Sequence, residues 1–361
     1  MKEHIPQGHY AHHPAINTAI IGFGLSGRVF HAPLIAFHKG FSLHTIMTSG
    51  KEAGRLYPGA KIAGSFQQVI HDSGVELVVL CSPHQLHAQQ AIDAMKAGKD
   101  VVVEKPVALY SKELRKVIKV SHETGRSFFP FHNRRWDGDF LTVKHLFREG
   151  YLGDIVEFES RFDRFSPEVN RAEWRYTDER NGGTLFDLGP HLVDQAIHLF
   201  GQPAAVHALL FQQRKGSQTN DAFDLRLLYK NTVVSLKAGI FVPMPGPRFQ
   251  VHGKKGSYIK YGLDMQESRL KEGKLPNSSG FGADLVKNHG MVQSEMLDGG
   301  SKIKFPTFDG NYLQFYEEVY AALRLKKPGP VSAGDAIAGL RVLEIALESH
   351  KQGKVIQFTM D

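Results

Sequence analysis

The segment AIIGFGLSGRVFHAP (residues 19–33) constrains the fold of this chain more than any other. It begins as an apolar, β-prone run and continues with three glycines in G-x-G-x-x-G spacing. Between a strand and a helix, such glycines allow a tight turn, close approach of the backbone to a pyrophosphate, and close packing of the helix on the strand. Because this spacing also recurs by chance, the surrounding pattern has to decide. The residues of this candidate phosphate site are Gly22, Gly24, Leu25, Ser26 and Gly27.

The first half of the chain alternates strand and helix patterns. Strands are predicted at 17–22, 41–49, 76–83, 100–106 and 127–135, and helices at 87–99 and 111–125. Such alternation is typical of right-handed crossovers and a doubly wound parallel sheet. We therefore expect a Rossmann dinucleotide-binding domain over residues 16–140, preceded by a mobile arm (1–15).

The second half has a different pattern. Alternating segments such as AFDLRLLYKNTVVSLKAGIF follow one another without long helices, which is typical of a largely antiparallel sheet. One helix interrupts this pattern, at 184–201, and a last helix closes the chain, at 332–353. We expect an α+β domain with an open, largely antiparallel sheet over residues 141–361, for substrate binding and oligomerisation. The final helix could instead pack back on the first domain.

Composition narrows the class of protein. A chain of 361 residues is expected to form two domains, and no apolar run reaches the ~20 residues of a membrane helix. The net charge of +7 is scattered, so a nucleic-acid face is disfavoured. A single cysteine, Cys81, excludes an intramolecular disulfide and favours the reducing cytoplasm. The histidines of the N-terminal arm could hold a stray metal, but a solvated arm is the favoured interpretation and no metal cofactor is expected.

The residues after the second strand bear on the choice of cofactor. NAD enzymes usually carry an acidic residue there for the ribose 2′-hydroxyl. This chain has Thr48, Ser49, Gly50 and Lys51 instead, and hydroxyls with a lysine suit a 2′-phosphate. The pattern therefore favours NADP. NAD remains an alternative because Glu52 comes next.

Two further motifs carry candidate chemistry. Lys105, in EKP, lies at the carboxyl end of a predicted strand, the edge where open parallel sheets bind ligands, and its amine could stabilise a developing alkoxide. Asp187 and His191, in DLGPHLVD, are four residues apart and share one face of a helix, where a histidine can act as acid or base. The alternatives are a surface lysine beside a turn proline, and a capping aspartate with a packed histidine.

Together these motifs resemble the glucose–fructose oxidoreductase/inositol dehydrogenase family. The resemblance covers residues 17–359 and rests on the glycine turn, VVVEKP and GGTLFDLGPHLVDQAIHLFG. The stretches GLSGRVFHAP, HNRRWDGDFLTVKHL and GPRFQVHGKKGSYIKYGLDMQE resemble its NADP-dependent scyllo-inositol dehydrogenase branch in particular. That branch often has arginine where Gly50 stands, so Lys51 or Arg55 would have to compensate.

The resemblance implies roles for individual residues. Lys105, Asp187 and His191 would form the catalytic set. A further group would contact the cofactor, on the nicotinamide side or at the strand end that leads to the second domain: Ser82, Pro83, His84, His87, Glu104, Asn133, Arg135, Trp174 and Arg175.

The expected activity is hydride transfer between NADP and a secondary alcohol of a cyclic polyol, with scyllo-inositol the favoured substrate. Dehydrogenation of another sugar is an alternative, and so is a regulator that senses NAD(P) without turnover. We expect a homodimer or homotetramer that acts on a small molecule, without nucleic-acid or membrane partners. Segments 161–168 and 258–264 are candidates for the substrate-facing wall.

Overall fold

The chain folds as two compact units in a computed structural model that describes residues 13–168 and 182–360. The first unit comprises the described part of Met1–Trp136 together with Met265–Gly282 and Asn311–Ala336. The second comprises the described residues of the remaining stretches. Each unit is thus assembled from separate stretches, whereas the predicted division at residue 140 is a single contiguous one.

The first unit contains a six-stranded sheet in which every pair of neighbours is parallel. Its strand order is β3-β2-β1-β4-β5-β6, the doubly wound order expected from the alternating pattern. The β1, β4 and β5 strands are apolar and almost fully buried because helices cover both faces of a parallel sheet. The strands are β1 (Ile16–Ile21), β2 (Phe41–Met47), β3 (Lys61–Ala63), β4 (Leu77–Leu80), β5 (Asp100–Val103) and β6 (Phe128–Pro130).

The helices of this unit begin and end at identifiable residues. A π-helical stretch, Ser26–His31, continues directly into α1. Ser65 caps α3 with a reciprocal bond to Gln68, and α5 ends at Gly125, whose φ is +66°. The helices are α1 (Ala32–Phe37), α2 (Glu52–Leu56), α3 (Phe66–Ile70), α4 (His84–Lys96), α5 (Ser111–Thr124), α9 (Gln266–Lys271) and α10 (Leu313–Leu325).

An aromatic face of α10 completes the core of the first unit. Phe315, Tyr316 and Tyr320 are fully buried. The Phe315 ring packs edge-on against Phe131, with centroids 4.8 Å apart, and Tyr316 does so against Phe41 at 5.4 Å. This packing explains why residues distant in sequence belong to the first unit, because α10 buries its aromatic face against Phe41 and Phe131 of that unit.

The second unit is built on a nine-stranded sheet of order β14-β13-β12-β11-β7-β10-β9-β8-β15. Only the β7–β10 pair is parallel, and all other pairs are antiparallel, as the sequence pattern predicts. The strands are β7 (Ile155–Asp163), β8 (Ala205–Phe211), β9 (Ala222–Leu228), β10 (Val233–Gly239), β11 (Phe249–Gly253), β12 (Gly256–Lys260), β13 (Gly290–Ser294), β14 (Lys302–Phe305) and β15 (Ile356–Gln357). The predicted fold class is confirmed for both sheets.

Helices cover one face of this sheet. They are α6 (Gly138–Arg148), α7 (Thr184–Asp187), α8 (Gly189–Phe200) and α11 (Ala333–Gln352). From Phe158 onward, buried residues of β7 alternate with half-buried ones, so Phe158 and Phe162 face the helices whereas Glu159 and Arg161 face away. On that second face Glu159 forms ion pairs with Arg161 and Lys237 at 2.7 and 2.9 Å.

Several predicted elements are wrong in detail. The strands expected over 76–83 and 100–106 already end at Leu80 and Val103. The strand expected over 127–135 ends at Pro130, and Asn133–Trp136 form one turn of 3₁₀-helix. The single helix expected over 184–201 is interrupted at Leu188, and α8 begins with Gly189 and Pro190. Proline has no N–H to continue the preceding helix and is favoured in a first turn, which is why a new helix begins there.

No helix among the described residues is long and apolar enough to cross a membrane.

The first unit contains charged side chains that packing has removed from water. Glu267 of α9 accepts hydrogen bonds from the guanidinium of Arg134 and from Lys271 Nζ, the latter at 2.6 Å. Burial alone raises the pKa of Glu267, but these two positive charges hold it at about 2.

We expect Glu267→Gln to remove a pH-dependent part of the stability. A carboxyl whose pKa is lower in the folded state than in the unfolded state stabilises the fold at pH values above the unfolded-state pKa. This stabilisation is lost as the pH falls toward 2. Urea unfolding should show the variant about 2–3 kcal/mol less stable at pH 7, with the gap closing between about pH 4.5 and pH 2. Glu272→Gln is the control, because that side chain is 56% exposed. A gap that stays constant down to pH 2 would contradict this account.

Candidate functional site

The glycine turn between β1 and α1 has the geometry that each of its glycines requires. Gly22 has a φ of +94°, and a Cβ there would lie 2.8 Å from the carbonyl oxygen of Cys81. A Cβ on Gly27 would lie 2.2 Å from the carbonyl oxygen of Gly22, so the helix start packs directly on the turn. A Cβ on Gly24 would meet no heavy atom within 4 Å. Gly24 thus borders open space, where a ligand can approach the backbone.

The loop after β2 presents polar groups to solvent. Ser49 and Lys51 are exposed, and the hydroxyl oxygen of Thr48 accepts a bond from the Gly50 N–H at 3.1 Å. The acidic residue that follows, Glu52, is paired with Arg28 of the first helical stretch at 3.1 Å. The carboxylate that would suit a ribose 2′-hydroxyl is therefore already engaged by a guanidinium.

Lys105 follows β5, and the preceding Glu104 is held in place by three donors. Glu104 Oε1 accepts bonds from the Ser26 hydroxyl and from His31 Nε2, the latter at 3.2 Å. Glu104 Oε2 accepts the backbone N–H of Lys105 at 2.9 Å. Burial alone raises the pKa of Glu104, but His31, Ser26 and the charge of Lys105 hold it at about 2. An ionised carboxylate thus lies beneath the turn that carries Lys105.

The turn after β4 is attached to the same region. His87 is buried, with Nδ1 2.8 Å from the carbonyl oxygen of Pro106 and Nε2 2.8 Å from that of Ser82. Burial lowers the pKa of His87. The Ser82 hydroxyl donates to Gln90 at 2.5 Å, Pro83 precedes α4, and His84 is buried in its first turn. The EKP turn and the Ser82–His87 turn are therefore joined by one imidazole.

The remaining predicted cofactor residues divide into two groups. Asn133 and Arg135 are buried in the 3₁₀ turn after β6, and Arg135 pairs with Asp335 at 2.9 Å. Trp174 and Arg175 lie outside the described residues.

In the second unit, a loop residue fixes the start of the helix that carries Asp187. Asn220 accepts the Thr184 N–H with its backbone oxygen and the Leu185 N–H with its side-chain oxygen, both at 2.8 Å. Gly183, with a φ of +85°, leaves no room for a Cβ beside Asn220. Asp187 ends this helix half-buried, with Arg164 3.7 Å from its carboxylate. Asp187 therefore lies beside a cation of the 161–168 segment.

His191 lies in the first turn of α8 and is 7% exposed. Its backbone N–H bonds to the Leu188 carbonyl at 3.2 Å, and its ring lies 6.4 Å from that of Phe162. One turn further along the helix, Gln195 accepts a bond from the buried guanidinium of Arg248 at 2.9 Å. Arg248 also pairs with Asp139 at 3.4 Å and lies 4.1 Å from the ring centroid of Phe162. A buried cation thus joins α8 to the sheet close to His191.

Several of these residues could not be assigned from periodicity. His31 and Arg248 occur in the stretches that carried the family resemblance, GLSGRVFHAP and GPRFQVHGKKGS, which is the signal that could have singled them out. Part of the candidate wall at 258–264 is wrong, because Tyr258 and Lys260 are fully buried and Lys260 pairs with Asp284 at 2.7 Å.

The residues present in the first unit fit a dinucleotide. The turn leaves open space at Gly24, the helix-start N–H groups follow it, and the exposed hydroxyl and ammonium of Ser49 and Lys51 come after the next strand. Within the described part of the chain, no three His, Cys, Asp or Glu side chains are grouped to hold a metal ion.

Two family models match the chain in consecutive segments. Residues 16–132 match the oxidoreductase family's NAD-binding Rossmann fold, and residues 144–358 match its C-terminal alpha/beta domain. The second model alone covers more than half of the chain.

Relatives match over nearly the full length. The chain is 38% identical to the scyllo-inositol 2-dehydrogenase (NADP(+)) IolW of Bacillus subtilis, over 94% of this chain and 95% of that one. It is 37% identical to the uncharacterized oxidoreductase YdgJ of Escherichia coli, over 93% of this chain and 96% of that one. The solved structure of yvaA from Bacillus subtilis superposes with a TM-score of 0.93 at 37% identity, covering 96% of this chain and 99% of that one. The predicted resemblance is thus confirmed, and this chain belongs to the Gfo/Idh/MocA oxidoreductase family, with an NAD-binding Rossmann domain at its N-terminal end.

Proposed function

We propose that this protein is an NADP-dependent dehydrogenase that oxidises a secondary alcohol of a cyclic polyol, with scyllo-inositol the favoured substrate and the inosose its product. The similarity to an NADP-dependent scyllo-inositol 2-dehydrogenase over 94% of the chain carries this proposal. The presence of Lys105, Asp187 and His191 in their expected motifs supports it.

The three side chains divide the work on the alcohol. His191 removes the hydroxyl proton during oxidation, as histidine is suited to do near neutral pH. Lys105 donates a hydrogen bond to the same oxygen and offsets its growing negative charge. Asp187 orients His191 or receives a substrate hydroxyl. When bound, the nicotinamide supplies the hydride acceptor.

The preference for NADP rests on the loop after β2. Ser49 and Lys51 are exposed there and can bind a 2′-phosphate, with Thr48 shaping the loop. Arg55 is a second exposed cation that can compensate for the glycine at position 50. The pairing of Glu52 with Arg28 supports the same choice, because an unpaired carboxylate would repel the phosphate.

The other predicted contacts belong to the same proposal. The nicotinamide side is assigned to Ser82, Pro83, His84 and His87, and further cofactor contacts to Glu104, Asn133, Arg135, Trp174 and Arg175. The proposal also includes assembly of the protein into a homodimer or homotetramer in the cytoplasm.

Initial rates of reduced-nicotinamide formation test the activity directly. We would combine NADP and NAD each with scyllo-inositol, myo-inositol, glucose and xylose. The proposal expects NADP-linked oxidation of scyllo-inositol to be fastest. Faster turnover of another sugar would contradict the substrate but keep the chemistry. Cofactor binding without any turnover would favour a regulator that senses NAD(P).

Variants of the acid–base groups test the assigned roles. Lys105→Met and His191→Ala should each lower kcat by about 10²–10⁴-fold, the usual contribution of one acid–base group. Lys112→Met is the matched control, because this lysine lies on the exposed side of α5. Near-normal kcat in both active-site variants would overturn the mechanism.

Two glycine variants separate cofactor binding from folding. Gly24→Ala adds a methyl group to open space, so the midpoint of thermal unfolding should stay within about 2 °C while the Kd for NADPH rises by about tenfold or more. Gly27→Ala places a Cβ against the Gly22 carbonyl and should lower that midpoint by several degrees. Fluorescence titration with NADPH and calorimetry measure the two effects. Equal behaviour of the two variants would contradict the assigned roles.

A further inference from the structure

We propose that His31 is a positioning residue for Lys105, acting through the Glu104 carboxylate and anchored by Tyr316. This inference rests on the proposed function, in which Lys105 contacts the reacting oxygen. It assigns a task to a buried chain of polar groups that the acid–base mechanism does not use.

The chain of hydrogen bonds is continuous and lies entirely within the first unit. The Tyr316 hydroxyl of α10 is 2.5 Å from His31 Nδ1, and His31 Nε2 is 3.2 Å from Glu104 Oε1. Glu104 Oε2 then accepts the Lys105 backbone N–H at 2.9 Å. The His31 side chain has no exposed surface, and that of Glu104 is 13% exposed. Such buried groups keep one arrangement because losing a partner leaves a desolvated polar atom unpaired.

The order of donors along this chain follows from its ends. The ionised Glu104 carboxylate can only accept, so Nε2 of His31 carries the proton of that contact. Burial raises the pKa of the Tyr316 hydroxyl well above its ordinary value, so this hydroxyl keeps a proton that it can donate to Nδ1 of the neutral ring. In this arrangement each nitrogen of His31 has a partner.

The Glu104 carboxylate also connects the glycine turn after β1 with the turn that carries Lys105. The Ser26 hydroxyl, next to Gly27 in the glycine turn, donates to Glu104 Oε1 as well. One anion therefore holds the turn after β1 and the main chain of Lys105 together. Small displacements of a catalytic group lower the reaction rate strongly. Weakening the hydrogen bonds to Glu104 should therefore displace Lys105 and lower the rate before it unfolds the protein.

The test compares His31→Leu, which removes the donor to Glu104, with His31→Gln, whose amide nitrogen can replace Nε2–H. The matched control is His38→Leu. His38 is equally buried, pairs with Glu317 at 3.3 Å and lies beside Tyr320 of the same helix α10. Both leucine variants remove a buried histidine from the same core, but only His31 is connected to Glu104.

We expect His31→Leu to speed hydrogen exchange of the Lys105 amide by about tenfold and to lower kcat by about ten- to a hundredfold, with KM for the polyol changed less than threefold. His31→Gln should bring the Lys105 amide exchange rate and kcat most of the way back to the wild-type values. His38→Leu should change neither the exchange rate nor kcat. Exchange is followed by mass spectrometry of peptides spanning residues 101–108, and kcat by NADPH formation. If His31→Leu does not fold, Tyr316→Phe replaces it and should shift both readouts in the same direction.

The inference is overturned if His31→Leu leaves the Lys105 amide and kcat unchanged, or if His38→Leu reproduces its effects. The exchange readout does not require turnover, so it separates this inference from the proposed function. Retained activity in Lys105→Met would refute the catalytic role of Lys105. The exchange data would still test whether His31 holds the Lys105 main chain through Glu104.

Discussion

The close approach of the first helix to the centre of the parallel sheet is the constraint on which the first unit depends. Gly27 lies against the carbonyl of Gly22, and Gly22 against that of Cys81, with no room for a Cβ at either position. This contact brings Ser26 and His31 next to the end of β5, where Glu104 accepts a hydrogen bond from each. The spacing that lets a backbone approach a pyrophosphate also places the side chains that hold the candidate catalytic turn.

Buried charges in this protein are kept by partners that satisfy them. Glu104 and Glu267 both remain ionised well below the usual carboxyl range, although burial alone would raise their pKa values. In the second unit, Arg248 is enclosed by Asp139, Gln195 and an aromatic ring. Removing one partner from such a set leaves an uncompensated charge, whereas the intact set holds neighbouring helices in one geometry. The Glu104 set lies next to Lys105, and the Arg248 set lies close to His191.

Local pattern was enough for much of the architecture. Apolar runs bounded by glycine and proline located the buried strands, and the switch from strand–helix alternation to strand–strand alternation separated the two sheets. The helix over 184–201 was wrong at Leu188 because periodicity alone ignores the missing N–H of Pro190. The strand over 127–135 was wrong after Pro130 because an apolar run does not show where the chain turns into a 3₁₀ helix. Residues 313–325 join the first sheet through aromatic packing, which no local signal shows.

The sequence by itself determined the parallel sheet, the antiparallel sheet and the motifs that contain Gly24, Lys105 and His191. These follow from short-range periodicity and from residue types that only a few backbone geometries accept. Only the tertiary structure decided that Arg28 engages Glu52, that Asn220 starts the Asp187 helix, and that Tyr316 reaches His31 across 285 positions. Those contacts join residues far apart in the chain, and their energy comes from burying polar groups with matched partners. A linear pattern carries no record of which partner each group meets.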